Sequence, residues 1–238
     1  MIAKNAVVYL LNNNKSYLKM ASKSMSMLRS FNDKIKIVCL CTSKIDLPEH
    51  LNVELIEIKD IDPEYIHVNR QYMGSLEFEN ILYVDSDTFI FDDVQKIFDY
   101  YDKDFIGCEN SWAYKQNFNL FKPTNGGVLL FKNYAHKKIY EDFSYKLKHM
   151  NILYKDVWDW MSSIDNLYVR EEFLTSKIVE EEKINRCFFE KQHVKIPEEY
   201  KDVKNINTII FHTFTSNWSI VAREISIKKI KKIKPRLI

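Results

Sequence analysis

Glycine is scarce in this chain, at four residues in 238. Flexible Gly-rich linkers and Gly-rich phosphate loops are therefore excluded, and each glycine is expected to meet a specific backbone demand. Proline is nearly as rare, at five residues, which leaves no polyproline segment. The four cysteines, Cys39, Cys41, Cys108 and Cys187, lack C-x-x-C spacing. They read as reduced thiols of an intracellular protein rather than zinc ligands. Neither sign of charge dominates: Lys+Arg 35 against Asp+Glu 33 leaves +2, so no global field directs the chain to nucleic acid. The first apolar run, Ala6 to Leu11, spans six residues, too few for a secretory leader or a membrane span. The expected location is cytoplasmic.

What is present is enough for a core. Hydrophobic residues make up 46% and aromatics 14%, which excludes a disordered chain. There is no internal repeat, so residues 1–222 are expected to form one domain, followed by a basic tail over 223–238. Ala6 to Leu11 predicts a buried strand, and Asn12, Asn13 and Asn14 a polar turn at its carboxyl end. Ser16 is a candidate cap for a helix running to about Ser30, followed by strands at Ile35 to Cys41 and Val53 to Ile58. Strand, helix and strand with short links is the βαβ pattern of a parallel sheet. Helices are also expected over His67 to Leu76, Val94 to Tyr100, 134 to 150, Asp156 to Ile164 and Glu171 to Glu182. Further strands are expected at Phe105 to Cys108, Val128 to Phe131, Val194 to Ile196 and Thr208 to Phe211.

The chain contains three D-x-D triplets: Asp60/Asp62, Asp85/Asp87 and Asp102/Asp104. Asp60-Ile61-Asp62-Pro63 is turn chemistry, and Asp102-Lys103-Asp104 lies in a charged connection. Only Asp85-Ser86-Asp87 follows a continuous apolar run, Ile81 to Val84. A strand buried on both faces that ends abruptly in acids places them at the sheet's carboxyl edge, where open α/β sheets bind ligands. Two carboxylates one residue apart can aim oxygens at one hard cation such as Mg²⁺ or Mn²⁺. The plainer alternative is that they only terminate the strand.

Four further features stand out. Half of all glycines fall in Asn125-Gly126-Gly127, which on local sequence is a hairpin turn first and a close backbone approach to a ligand second. His212 ends the run T-I-I-F-H. An imidazole there reaches the same edge as the two aspartates, although a lone histidine after a strand is more often structural. Glu171-Glu172 opens a helix, where acids suit the macrodipole; functionally, such a carboxylate can support a developing positive carbon. Arg70 precedes Asp85 by 15 residues and can pair with it or with a phosphate.

In order, these pieces are a βαβ start, an arginine, Y-V-D-S-D-T, N-G-G-V, an acidic pair and H-x(5)-W. Together they resemble the GT-A fold glycosyltransferases of the glycogenin and bacterial lipopolysaccharide galactosyltransferase kind, glycosyltransferase family 8. The likeness covers roughly residues 5 to 220. It implies an α/β, Rossmann-like fold with a mostly parallel sheet flanked by helices. It also implies Mn²⁺ or Mg²⁺ held by Asp85, Asp87 and His212 against the diphosphate of a UDP-sugar, with Ser86 between the acids. By the same resemblance Asn125 and Gly126 border the sugar, Arg70 lies near sugar and diphosphate, and Leu10, Leu11, Asn12 and Tyr17 hold uracil and ribose. Glu171-Glu172 stands where the family has a D-Q pair. H-T-F-T-S-N-W is a shortened form of the family's H-F-x-G-x-x-K-P-W, without its glycine and lysine, so Asn217 and Trp218 become the candidate donors to the leaving phosphate.

The reaction so implied is hexose transfer from a UDP-sugar to an acceptor hydroxyl with retention of configuration, on a glycan, lipid-linked or protein acceptor. Glu171, Glu172, Arg70 and Asn125 are the catalytic candidates. The loop Glu109 to Thr124 is long and aromatic and is expected to cover the donor or stack an acceptor sugar. A nucleotidyltransferase ranks low, because L-N-N-N-K after the first strand has no glycine. The tail alternates Ile with Lys pairs; a basic amphipathic surface for the inner face of an anionic membrane and a solvated terminus fit it equally.

Overall fold

The computed structural model describes residues 3–59, 66–109, 124–163, 170–196, 208–213, 219 and 222. The chain opens as β1 (Asn5–Leu11), α1 (Lys15–Phe31), β2 (Lys36–Cys41) and β3 (Val53–Glu57), with β1 parallel to β2 and β2 parallel to β3. A 3-10 helix, Ile66–Ser75, leads into β4 (Asn80–Val84), β5 (Thr88–Ile90), α2 (Gln95–Tyr100), β6 (Phe105–Glu109) and β7 (Thr124–Phe131). Five helices follow: α3 (Ala135–Tyr140), α4 (Phe143–Lys148), α5 (Met150–Leu153), α6 (Lys155–Ser163) and α7 (Arg170–Glu181). Short strands β8 (Arg186–Phe188), β9 (Val194–Lys195) and β10 (Ile210–His212) complete the described elements.

The central sheet has seven strands in the order β3-β2-β1-β4-β7-β6-β8, and a second sheet has the order β5-β10-β9. Within the central sheet four pairings are parallel and the two made by β7 are antiparallel. Successive strand side chains point to opposite faces. Val7, Tyr9, Leu82 and Val84 therefore pack with Ala21, Met25 and Leu28 of α1, while Ala6, Val8, Ile81 and Tyr83 pack with Met73, Leu174 and Ile178 on the other side. Both faces are covered, as a sheet with long apolar runs requires.

Three local expectations change. Asn14, not Ser16, caps α1: its side-chain oxygen accepts from the Ser16 and Tyr17 amides at 2.9 and 3.4 Å. The helix expected over 134 to 150 is three helices, α3, α4 and α5. Phe143 joins the cluster against the sheet, whereas Met150 joins a separate one with Val157, Met161 and Phe173; one straight helix does not serve both. The helix expected over His67 to Leu76 is a 3-10 helix. At three residues per turn it lines up positions three apart, which puts His67, Arg70 and Met73 on one side.

Candidate active site

Strand β1 sits between β2 and β4, so the chain leaves it to one side and returns on the other. The carboxyl ends of strands flanking such a reversal form a ligand crevice. Val8 of β1 lies opposite Tyr83 of β4. Beyond that pair Leu10, Leu11 and Asn12 continue on one side, and Asp85, Ser86 and Asp87 on the other. Asn12 accepts from the Asn14 amide at 3.1 Å, and Tyr17 stands in the first turn of α1.

The acidic turn is fixed at both ends. The Asp85 amide donates to the Gly127 carbonyl at 2.8 Å, and the Thr88 amide donates to the Asp85 carbonyl at 3.3 Å. Strand β5 starts at once, and β10 pairs with it antiparallel, with His212 opposite Thr88. That pairing delivers the imidazole. His212 Nε2 lies 3.2 Å from Asp87 Oδ1 and 3.6 Å from Asp85 Oδ2. One ligand atom from each of the three residues lies within 4.8 Å of the other two. Two carboxylate oxygens and one imidazole nitrogen, largely buried, fit a divalent cation of the Mn²⁺ or Mg²⁺ type. Burial alone would lower the His212 pKa, but the hydrogen bond to Asp87 and the charges of Asp87 and Asp85 raise it.

The glycine pair is part of β7 and not a hairpin turn. None of the glycines has positive φ, so what these two provide is room. A Cβ on Gly126 would run into the Arg70 guanidinium and come within 3.1 Å of Glu171 Oε1; one on Gly127 would fall on the His212 ring. The strand bulges here: Gly107 of β6 faces Leu129, but the next residue, Cys108, faces Asn125. Bulges of this kind re-aim backbone beside active sites. Asn125 Oδ1 accepts from the Gly127 amide at 2.9 Å, and Glu172 Oε1 accepts from the Gly126 amide at 2.7 Å.

Arg70 lies beneath this edge, 2% exposed. Its Nη1 donates to Glu171 Oε1, and its Nη2 donates to Asp85 Oδ1 and His67 Nδ1, both at 3.1 Å. The guanidinium also lies 4.7 Å from the Tyr83 ring centroid, and the Tyr83 hydroxyl donates to Asp85 Oδ1 at 2.5 Å. Arginine only donates, so His67 accepts on Nδ1 and carries its proton on Nε2. Burial and then the Arg70 charge push the His67 pKa down to about 4. Burial would raise Asp85, but Arg70, His67, His212 and the Tyr83 hydroxyl outweigh it and hold the carboxyl at about 2. Burial pushes the Glu171 pKa up, with Glu172 and Asp85 adding to it, while the Arg70 guanidinium pulls it back toward the charged form.

Of the residues singled out from sequence, Asp85, Asp87 and His212 converge, and Arg70, Glu171, Glu172, Asn125 and Gly126 join them through direct contacts. The acidic pair divides: Glu171 turns inward to Arg70 and Glu172 braces the Gly126 amide. Arg70 has both terminal nitrogens on protein groups. Asn217, Trp218, the loop over 110–123 and the tail over 223–238 lie outside the described residues. His67 and Tyr83 were missed, although the i, i+3 spacing of His67 and Arg70 and the i, i+2 spacing of Tyr83 and Asp85 were there to be read. Among the described residues no helix is long and apolar enough to cross a membrane.

No protein-family model matches the chain, and no curated protein matches it in sequence. Solved structures do match. The galactosyltransferase LgtC in complex with donor and acceptor sugar analogs is 16% identical with a TM-score of 0.60, over 91% of this chain and 95% of that one. The glycosyltransferase GlyE of Streptococcus pneumoniae TIGR4 is 18% identical with a TM-score of 0.56, over 96% of this chain and 64% of that one. Mouse xyloside xylosyltransferase 1 is 11% identical with a TM-score of 0.53, over 87% of this chain and 96% of that one. The shared feature at these identities is the fold: this chain has the GT-A architecture of these glycosyltransferases.

Proposed function

We propose that the protein is a glycosyltransferase that moves a hexose from a UDP-sugar to an acceptor hydroxyl, with retention of configuration. The observation that carries this reading is the convergence of Asp85, Asp87 and His212 at the crevice between β1 and β4. A divalent cation held there would act as a Lewis acid on the donor diphosphate, with the imidazole favouring Mn²⁺ over Mg²⁺. Leu10, Leu11, Asn12 and Tyr17 border the uracil and ribose side. Asn125 and the bulged backbone at Gly126 border the sugar, with Ser86, Asn217 and Trp218 as further donors toward the phosphates. Arg70 acts from behind Asp85 through its charge, and Glu171 holds Arg70 in place. Glu172 keeps the Gly126 amide aimed, and from there its carboxylate would stand beside the reacting carbon. The bond from the anomeric carbon to the phosphate oxygen breaks and a bond to the acceptor oxygen forms. The acceptor proton passes to the leaving phosphate with help from Glu172.

The acceptor is a glycan, a lipid-linked sugar or a protein, and the basic tail would bring the enzyme to the inner face of a membrane. The test is UDP release with Mn²⁺ from UDP-glucose, UDP-galactose and UDP-N-acetylglucosamine, for wild type and Asp87→Ala. Turnover with one donor, reduced by about 10²-fold or more in the variant, is expected. Equal turnover by the variant overturns the cation site. UDP binding without turnover of any donor identifies a nucleotide-sugar binding module instead.

A further inference from the structure

The two oxygens of Asp85 are not equivalent. Oδ1 receives the Tyr83 hydroxyl at 2.5 Å and Arg70 Nη2 at 3.1 Å, while Oδ2 faces His212 Nε2 at 3.6 Å. The backbone of the same residue is also held. Thr88 Oγ1 donates to the Asp85 carbonyl at 2.8 Å, with Ser24 Oγ and Tyr9 Oη behind it at 3.0 and 2.9 Å. Tyr83 is itself 1% exposed in the middle of the sheet, with Arg70 over its ring. Residues two apart on a strand share a face, so Tyr83 and Asp85 meet without rearrangement.

We infer that Tyr83 is a positioning residue for the cation: it holds Asp85 Oδ1 so that Asp85 presents a single oxygen, Oδ2, beside Asp87 and His212. The inference rests on the cation reading of that cluster. Partners behind metal ligands fix ligand orientation, and losing one costs about 10- to 100-fold in affinity. One-oxygen ligation also bears on selectivity. Ca²⁺ takes six to eight oxygens and favours two-oxygen carboxylates, whereas Mg²⁺-sized ions need only six ligands in near-octahedral order. Holding Oδ1 away therefore disfavours Ca²⁺.

The experiment is Mn²⁺ binding by electron paramagnetic resonance, with Ca²⁺ as competitor, on wild type, Tyr83→Phe and Asp87→Ala, each with a thermal melt. Tyr83→Phe, which removes only the hydroxyl, is expected to bind Mn²⁺ about 10-fold more weakly and to show a smaller preference for Mn²⁺ over Ca²⁺. Either quantity unchanged, in a variant that melts as wild type does, overturns the inference. If that variant does not fold, a crystal structure of wild type with Mn²⁺ decides. Asp85 bound through Oδ2 alone, with Tyr83 still on Oδ1, supports the inference, and chelation through both oxygens overturns it. Asp87→Ala separates the two levels. Mn²⁺ binding unchanged in that variant removes the cation site itself, while binding lost there but intact in Tyr83→Phe removes only the role of Tyr83.

Discussion

From β3 to β4 the strands run parallel in unbroken register, and β1, β2 and β4 carry apolar side chains on both faces. From β4 to β6 the pairing is antiparallel and breaks register at the glycine pair, beside Arg70, Glu171, Glu172 and His212. The first half owes its stability to buried apolar area. The second gives up regular pairing so that charged groups can come close to backbone. Damage to the first should be felt as stability, and damage to the second as binding.

Arg70→Met is the harshest test, because it touches both halves. It leaves Asp85 and Glu171 facing each other without their shared cation. Removing one partner of a buried ion pair costs about 3–5 kcal/mol. Urea unfolding should show that loss, and adding Glu171→Gln should restore part of it. A double variant no more stable than Arg70→Met would mean that the carboxylate at 171 is not what the guanidinium compensates.

A matched pair comes next. Ile37 in β2 is fully buried, and Ile37→Ala should cost about 2–5 kcal/mol while leaving Mn²⁺ affinity within twofold of wild type. Gly127→Ala places a methyl on the His212 ring and should do the reverse: a weakening of Mn²⁺ binding by about 10- to 100-fold with a smaller change in melting temperature. If both variants move both readouts together, the division between the halves is wrong.

The smallest effect concerns pH. The folded-state pKa of His67 is about 4, below the unfolded value of about 6.5. The unfolded chain therefore binds the extra proton between those values. This contribution to stability is fully present above pH 6.5 and is lost as pH falls toward 4. For a half-buried imidazole it amounts to about 1–3 kcal/mol. His67→Asn keeps an acceptor for Arg70 but does not titrate. Its urea midpoint should fall less than that of wild type between pH 7 and pH 4.5, and parallel curves would remove His67 as the source.

The parallel half was legible in the sequence because continuous apolar runs such as Ala6 to Leu11 and Ile81 to Val84 mark strands buried on both faces. The acids and His212 could be placed at one edge for the same reason: each ends such a run. What was not legible depends on pairing. β5 is three residues long and too short to show a period, yet it sets where His212 goes. Asn-Gly-Gly read as a turn because local propensity favours one; the demand for space comes from Arg70 and His212, distant in sequence. The 3-10 form of Ile66–Ser75 was not legible either, although the i, i+3 spacing of His67 and Arg70 was.

The hydroxyls of Tyr9, Ser24 and Thr88 have a further consequence. Each carries one proton. Thr88 gives its proton to the Asp85 carbonyl, so it accepts from Ser24, and Ser24 in turn accepts from Tyr9. The row has one direction only, from the core outward to the acidic turn. Such aligned dipoles strengthen one another. The carbonyl at the edge of the crevice is thus tied, through bonds of fixed sense, to a phenol in β1 and a serine in α1, and a slight tilt of that helix would be transmitted to the turn that carries the acids.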